Sequence, residues 1–237
     1  MTPGLGRRAG AELVGTAFLV MAVVGSGIAA SRLSPDDVGL QLLENSIATW
    51  AVLVALILAL QPVSASFNPV VTMAERSLGL ITTATAASLV AAQLAGGLIG
   101  VVVANLMFDL DAVSVSGNER DGSGQFLGEV VATIGLVLVV FGTLRSTRPE
   151  TVAVAVGGYI AAAYWFTSST SFANPAVTIA RMLSNTFAGI APSSVPGFIG
   201  AEFVGAVLAI ALMLCLYPRG QATGSHTRGA LARRGSS

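Results

Sequence analysis

Two asparagine–proline pairs carry the strongest chemical signal in the sequence. The segments Asn68-Pro69-Val70 and Asn174-Pro175-Ala176 are each followed by a valine, a threonine and an alanine at matching positions. They share five identities over seven positions, 106 residues apart. Asparagine favours the helix N-cap and proline favours the first helical position. Each pair therefore predicts the start of a short helix, preceded by a loop rich in serine and threonine.

The chemistry expected of these helix ends is hydrogen bonding to uncharged molecules. A helix N-terminus carries about half a positive charge. The side-chain oxygens of Asn68 and Asn174 cap the helices, which leaves their amide hydrogens to donate into a lumen. Water or a neutral hydroxylated solute can accept such bonds. A cation or a hopping proton instead meets two positive helix ends, which form an electrostatic barrier.

Other reactive groups are scarce in the sequence. Cys215 is the single cysteine and His226 the single histidine. This inventory excludes an internal disulfide, a metal site built from several thiolates or histidines, and a histidine-based catalytic triad. The formal net charge is zero, so no basic footprint for nucleic acid is present. We therefore expect no enzyme activity, no cofactor and no metal.

The composition predicts an all-α membrane protein. The chain of 237 residues is 54% hydrophobic and 10% charged, whereas soluble domains carry roughly 25% charged residues. A membrane-spanning helix needs about 20 mostly apolar residues. The predicted spans cover roughly residues 11–30, 47–63, 88–108, 126–145, 151–168 and 198–217, with polar loops at 31–46 and 109–125.

The motifs belong to an inverted repeat within one domain over residues 11–217. The halves cover about 11–108 and 126–217, and each holds three spans and one re-entrant half-helix. Glu12 and Glu129 open the first spans of the two halves, and Gln93 and Glu202 lie near the starts of the last spans. Three spans per half place the halves in opposite orientations. Such repeats form their site near the midplane, at discontinuous helices.

Arginine placement predicts the orientation in the membrane. All 12 basic residues are arginine, and cytoplasmic loops are enriched in positive charge. We expect both termini to be cytoplasmic, with a short N-terminus at 1–10 and a disordered tail at 218–237, in the plasma (inner) membrane. The cytoplasmic side then carries Arg7, Arg8, Arg76, Arg145, Arg148, Arg219, Arg228, Arg233 and Arg234, and the outside carries Arg32, Arg120 and Arg181.

The paired motifs, the repeat and the two glutamates together resemble the aquaporin/aquaglyceroporin (major intrinsic protein) family over roughly residues 10–217. The resemblance implies six transmembrane helices with two half-helices, and a homotetramer with one pore in each subunit. It also implies passive conduction of water or small neutral solutes through the lipid bilayer. Asn68, Pro69, Val70, Asn174, Pro175 and Ala176 are then the pore motifs.

The sequence departs from the family pattern at the outer constriction. The second motif of the family ends in an arginine, and Val177 occupies that position here. Spacing from the motifs places Ala48, Ala162 and Ser171 at the other constriction positions. The expected filter is wide and uncharged, which favours solutes such as glycerol, urea or arsenite over strict water selectivity. Arg181, four residues after Val177, is expected at the outer mouth or paired with an acidic loop or lipid headgroup.

The acidic residues inside the spans allow a second interpretation. The resemblance implies that Glu12 and Glu129 support the re-entrant loops by accepting backbone hydrogen bonds. Carboxylates within the membrane could instead couple transport to protons, and the alternative function is a proton-coupled secondary transporter that uses Glu12 or Glu129. Glu202 is expected at a solvated span end or as loop support, and Gly96 and Gly100 in helix packing.

Overall fold

The computed structural model describes residues 3–145 and 150–217. Within these ranges the secondary structure is entirely helical, which confirms the predicted fold class. The tail at 218–237 and the first two residues lie outside the described residues. The helices are α1 Leu5–Leu33, α2 Val38–Leu60, α3 Pro69–Ser77, α4 Thr83–Met107, α5 Ser123–Thr143, α6 Glu150–Phe166, α7 Pro175–Arg181 and α8 Val195–Leu216.

Six of these helices correspond to the predicted spans. Five of them, α1, α2, α4, α5 and α8, are long and apolar enough to cross a membrane. The sixth, α6, has 17 residues, which is the lower limit of the usual range for a spanning helix. The half-helices α3 and α7 have nine and seven residues, so neither can span the bilayer alone.

The predicted loop at 31–46 is wrong in its second half, because α2 begins at Val38. Asp37 caps this helix by accepting a hydrogen bond from the Leu40 backbone nitrogen at 2.9 Å. The polar side chains Gln41, Asn45 and Ser46 in the first turns of α2 are buried, and Asn45 donates to the Val23 carbonyl oxygen at 2.8 Å. Polar side chains that bond between helices made this segment look like a loop.

The two halves interlock around a common centre. In the first half α1 packs against α2 and α4, and in the second half α5 packs against α6 and α8. The half-helices cross between halves, because α7 contacts α4 and α3 contacts α8. The contact of α2 with α6 closes the ring. Each half-helix therefore needs both halves for its packing.

Glycines allow the closest helix approach in each half. A Cβ atom on Gly96 would clash with the Leu13 carbonyl oxygen, and one on Gly100 would clash with the Ala17 carbonyl oxygen, both on α1. In the second half, a Cβ atom on Gly205 of α8 would lie 2.7 Å from the Val130 carbonyl oxygen on α5. The predicted packing role of Gly96 and Gly100 is confirmed, and it has a counterpart in the other half.

We expect Gly100→Ala to destabilise the protein, because the added methyl group meets backbone that cannot move aside. Overpacking of this kind typically costs about 1–3 kcal/mol. The measurement is the thermal unfolding temperature of the purified protein in detergent. Gly10→Ala is the matched control on α1, since its Cβ atom would have no neighbour within 4 Å. Equal stability of the two variants would contradict the proposed close approach.

Candidate functional site

The two half-helices begin at the asparagine–proline pairs. The Asn68 Oδ1 atom accepts a hydrogen bond from the Val70 backbone nitrogen at 3.0 Å. In the second half, Asn174 Oδ1 accepts from the backbone nitrogens of Ala176 at 3.1 Å and Val177 at 3.4 Å. Each asparagine thus satisfies amide groups that a helix start leaves without an intrahelical partner.

The same asparagines join the two loops to each other. The Asn68 Nδ2 atom donates to the Ala173 carbonyl oxygen at 2.7 Å, and Asn174 Nδ2 donates to the Phe67 carbonyl oxygen at 2.8 Å. One amide hydrogen of each asparagine is therefore used between the halves. We expected both amide hydrogens of each asparagine to be available to the lumen, and this expectation is wrong. One hydrogen on each side chain is left to donate into the lumen.

The residue before each asparagine has a left-handed backbone. The φ angle of Phe67 is 48° and that of Ala173 is 46°, a region that residues other than glycine rarely occupy. Such a conformation costs of order 1–3 kcal/mol and persists only where the surroundings determine it. The carbonyl groups of these two residues are the acceptors of the bonds between the loops.

Glu12 determines the backbone of the first loop. Its carboxylate is fully buried and accepts hydrogen bonds from the Ser64 hydroxyl at 2.6 Å, the Ser66 nitrogen at 2.8 Å and the Phe67 nitrogen at 2.7 Å. Irregular backbone at membrane depth requires such partners. Both carboxylate oxygens therefore accept hydrogen bonds from the loop and support its backbone.

Glu129 has the equivalent position in the second half. This fully buried carboxylate accepts from the backbone nitrogens of Phe172 at 2.8 Å and Ala173 at 2.7 Å. The pair of contacts supports the loop role implied by the resemblance. The geometry does not favour the proton-coupled alternative, because both Glu12 and Glu129 are engaged with loop backbone.

Gln93 and Glu202 form a second set of loop contacts, and their predicted position near span ends is wrong. Both side chains are fully buried within α4 and α8. Gln93 Nε2 donates to Glu12 Oε2 and to the Thr72 hydroxyl, each at 2.8 Å. Glu202 Oε1 accepts from the Asn174 nitrogen at 3.0 Å and the Thr178 hydroxyl at 2.7 Å. Of the two positions predicted for Glu202, the solvated span end is excluded and the contact with the loop is observed.

A cavity of about 450 Å³ passes through the centre of the helices. Asn68 and Asn174 both line it, and Arg8 and Arg181 line its opposite ends. The wall between is mostly apolar, with Ile57 among the side chains that contribute. Few polar groups in an apolar passage suit small neutral solutes, since an ion would lose its hydration without replacement.

The structure corrects half of the predicted constriction. Ser171 and Val177 line the cavity, whereas Ala48 and Ala162 do not. Ala162 is exposed on the outer surface. On the same two helices Thr49 and Tyr164 line the cavity, and their hydroxyl oxygens are 3.2 Å apart. Successive helical residues differ by about 100° in direction, so counting back across a loop of different length selects the wrong face.

Arg181 lies at the end of the cavity next to the second loop. It is 3% exposed, its Nε atom donates to the Ala188 carbonyl oxygen, and its guanidinium carbon is 3.5 Å from the centroid of the Phe172 ring. The predicted pairing of Arg181 with an exposed acidic loop or a lipid headgroup is therefore wrong. The stacked guanidinium presents its remaining donors at the mouth of the cavity.

A second arginine approaches the same ring. The guanidinium carbon of Arg120 is 5.1 Å from the Phe172 ring centroid, and its Nε donates to the Gly189 carbonyl oxygen at 2.9 Å. Burial lowers the pKa of the Arg120 side chain. Two guanidinium groups on one aromatic ring make this end of the cavity electropositive. The contact of Arg120 with Phe172 was not predicted, because no motif in the sequence indicates it.

We expect Asn174→Asp to abolish most conduction. The variant keeps the capping oxygen but loses the donor to the Phe67 carbonyl, and it places a negative charge where desolvation is costly. Permeability of proteoliposomes to water and glycerol should fall at least about tenfold. Asn185→Asp is the control, because among the described residues Asn185 bonds through its acceptor oxygen alone, to the Gly117 nitrogen at 3.1 Å. Unchanged flux through folded Asn174→Asp protein would exclude the central role of Asn174.

Three comparisons place this architecture among known proteins. Residues 2–162 match the profile of the Major intrinsic protein family. The chain is 51% identical over 210 residues to the aquaglyceroporin AqpS of Rhizobium meliloti (strain 1021), which covers 88% of this chain and 89% of that protein. The X-ray structure of the aquaglyceroporin from Plasmodium falciparum superposes with a TM-score of 0.67 at 17% identity, covering 89% of this chain and 96% of the other.

The sequence matches establish the family, and the structural match shows the same fold. The predicted channel function is confirmed, and neither the enzyme class nor the proton-coupled transporter is favoured. The chain belongs to the major intrinsic protein family and is a passive membrane channel for water and small neutral solutes.

Proposed function

We propose that this channel passes neutral solutes larger than water through an outer constriction formed by Thr49, Tyr164, Ser171 and Val177. The observation that carries the proposal is the position of Val177: it lines the cavity in the first turn of α7. The family resemblance places an arginine there. A valine side chain leaves the space of a guanidinium free, and it presents no fixed donors that would bind single water molecules.

The polar wall of this constriction suits hydroxylated solutes. The hydroxyls of Thr49 and Tyr164 lie next to each other on one side. The Ser171 Oγ atom is buried, lines the cavity and has no hydrogen-bond partner among the described residues. A solute hydroxyl can supply that partner. Glycerol, urea and arsenous acid all combine small size, neutrality and several hydrogen-bonding groups.

Arg181 retains a positive charge near the mouth without narrowing the constriction. It follows Val177 by four residues, which is about 6 Å along a helix axis. The stack on Phe172 and the bond to the Ala188 carbonyl oxygen hold the guanidinium in place. We assign to it the repulsion of cations at the entrance, in place of the family's filter arginine.

The named relative supports the solute class. The similar protein from Rhizobium meliloti is called an aquaglyceroporin, so a glycerol-sized permeant agrees with the wide constriction proposed for this chain. Arsenous acid stays a candidate on chemical grounds alone, as a neutral molecule with hydroxyl groups.

Assembly and orientation complete the proposal. We infer a homotetramer in the plasma (inner) membrane with both termini cytoplasmic, on the arginine distribution and the family resemblance. The outer face of α8 exposes large apolar side chains, among them Val204, Val207 and Leu208, which suit contact with lipid or a neighbouring subunit. Arg181 and Arg120 then lie at the outer mouth.

The test of the constriction is Val177→Arg. The longer side chain should occupy the free space and present fixed donors. The ratio of glycerol to water permeability in proteoliposomes should fall about tenfold or more, equal to ~1.4 kcal/mol of added barrier. Val177→Leu, which adds bulk without donors, should lower the ratio less.

Val204→Leu on the exposed face of α8 is the matched control and should leave the ratio unchanged. All variants are compared at equal protein content in the same liposomes. A ratio that stays constant or rises in Val177→Arg would mean that residue 177 does not limit solute size, and the proposed constriction would be wrong.

A further inference from the structure

The two halves differ at one buried position behind the loops. Gln93 of α4 and Glu202 of α8 occupy corresponding places in the repeat, and both are fully buried. Gln93 meets the first-half glutamate as an amide, donating to Glu12 Oε2 at 2.8 Å. Glu202 and the second-half glutamate, Glu129, accept from consecutive backbone nitrogens of the second loop, Glu129 from residues 172 and 173 and Glu202 from residue 174, so the two carboxyl groups are neighbours. In the first half an amide therefore faces a buried carboxylate, whereas in the second half a carboxyl group takes the place of that amide.

The hydrogen bonds of Glu202 divide its two oxygens. Oε1 accepts from the Asn174 nitrogen at 3.0 Å and from the Thr178 hydroxyl at 2.7 Å. Oε2 is buried and has no donor among the described residues. One oxygen thus behaves as a carbonyl, and the other is free to carry a proton.

Glu129 has the opposite pattern. Both of its oxygens accept backbone hydrogen bonds, from the Phe172 and Ala173 nitrogens. A hydrogen bond between the two carboxyl groups needs one proton, and Glu129 is better stabilised as the anion. Two carboxyl groups that share a buried site cannot both ionise without strong repulsion.

The surrounding charges also favour the anion on Glu129. Arg181 of α7 and Arg120 of the loop before α5 are positive groups that interact electrostatically with Glu129. Tyr159 of α6 also faces Glu129, as a neutral phenol that supplies no positive charge. Glu202 interacts with Glu129 itself. From α3, which also packs against α8, Glu75 interacts with Glu12 and with Arg8.

We propose that Glu202 is a positioning residue in the form of a neutral carboxylic acid, whose proton on Oε2 is donated to the Glu129 carboxylate. This O–H donates to Glu129 in the second half as the Gln93 amide donates to Glu12 in the first half. The loop that it supports carries Ser171 and Phe172, both on the cavity wall. Loss of this proton to base would leave two adjacent buried carboxylates behind that loop.

The functional consequence is a channel whose second loop depends on one buried proton. Repulsion between the Glu129 and Glu202 carboxylates would weaken the contacts to the Asn174, Phe172 and Ala173 nitrogens. The loop residues Thr170, Ser171 and Ala173 have positive φ angles, so the loop conformation requires these contacts. Solute permeability should therefore fall reversibly at alkaline pH, and the first half should not contribute to this fall.

The first experiment measures glycerol permeability of proteoliposomes from neutral to strongly alkaline pH. Glu202→Gln should keep permeability at neutral pH and move the alkaline midpoint upward by about one pH unit or more, a tenfold change in proton affinity. Glu44→Gln is the matched control, because Glu44 accepts from the Ser34 hydroxyl at 2.8 Å away from the cavity. Its profile should match the parent.

The reciprocal variant transfers the feature to the other half. Gln93→Glu places a carboxyl group against Glu12 and should create a second alkaline-sensitive site, so that permeability is lost at lower pH than in the parent. Identical pH profiles for the parent and folded Glu202→Gln protein would overturn the proposal, as would a Gln93→Glu profile that does not move.

Infrared spectroscopy tests the protonation of Glu202 directly. The measurement needs neither a transport assay nor a variant that still conducts solute. The parent protein at neutral pH should show the C=O stretch of a buried carboxylic acid, which Glu202→Gln removes and Glu44→Gln retains. Absence of any such band in the parent protein would refute the protonated state. The permeability readout rests on the glycerol conduction proposed above, whereas the infrared band does not, so the two proposals fail separately.

Discussion

The structure depends on acceptors for backbone N–H groups that lie at membrane depth without a helix to satisfy them. Lipid offers no hydrogen bonds, and each unsatisfied group costs several kcal/mol. Glu12 and Glu129 provide these acceptors as buried carboxylates, and hydrogen bonds to a charged group contribute about 1.5–3 kcal/mol each. Because of these bonds, each loop can turn back at Phe67 or Ala173 and start a half-helix. The Asn68–Ala173 and Asn174–Phe67 bonds then join two loops that are already fixed from behind.

This arrangement separates support of the loops from selection of the solute. The groups that fix the second loop lie on α5 and α8, behind the chain, whereas Ser171 and Val177 face the cavity. Replacing a filter side chain therefore removes no acceptor from the loop backbone. This chain keeps the loop contacts with a valine at position 177, and the guanidinium of Arg181, one turn further along α7, stacks on Phe172.

The sequence predicted those features that rest on local chemistry or on repetition. The half-helix starts at Asn68 and Asn174 and the inverted repeat could be inferred from residue types and spacing. The loop contacts of Glu12 and Glu129 were implied by the family resemblance. The lumen faces of α2 and α6 could not be predicted, because a one-residue difference in helix register replaces Ala48 by Thr49, and the register depends on loop lengths that no motif fixes. The start of α2 was missed for a related reason: Asn45 is polar but bonds to the Val23 carbonyl oxygen, and hydropathy does not distinguish that bond from contact with water.

The differences between the halves are as informative as their symmetry. A repeat that only had to fold could use the same residue behind both loops, and Gln93 shows that an amide fits beside a buried carboxylate. Glu202 gives the second loop something that Gln93 does not give the first, since its Oε1 atom accepts from both the Asn174 nitrogen and the Thr178 hydroxyl. The second loop carries Ser171 and Phe172 on the cavity wall, as the first loop carries Ser66 and Phe67. In our proposal the protonated acid thus lies behind a loop that lines the cavity, which would link the ionisation of a residue outside the cavity to the shape of the cavity itself.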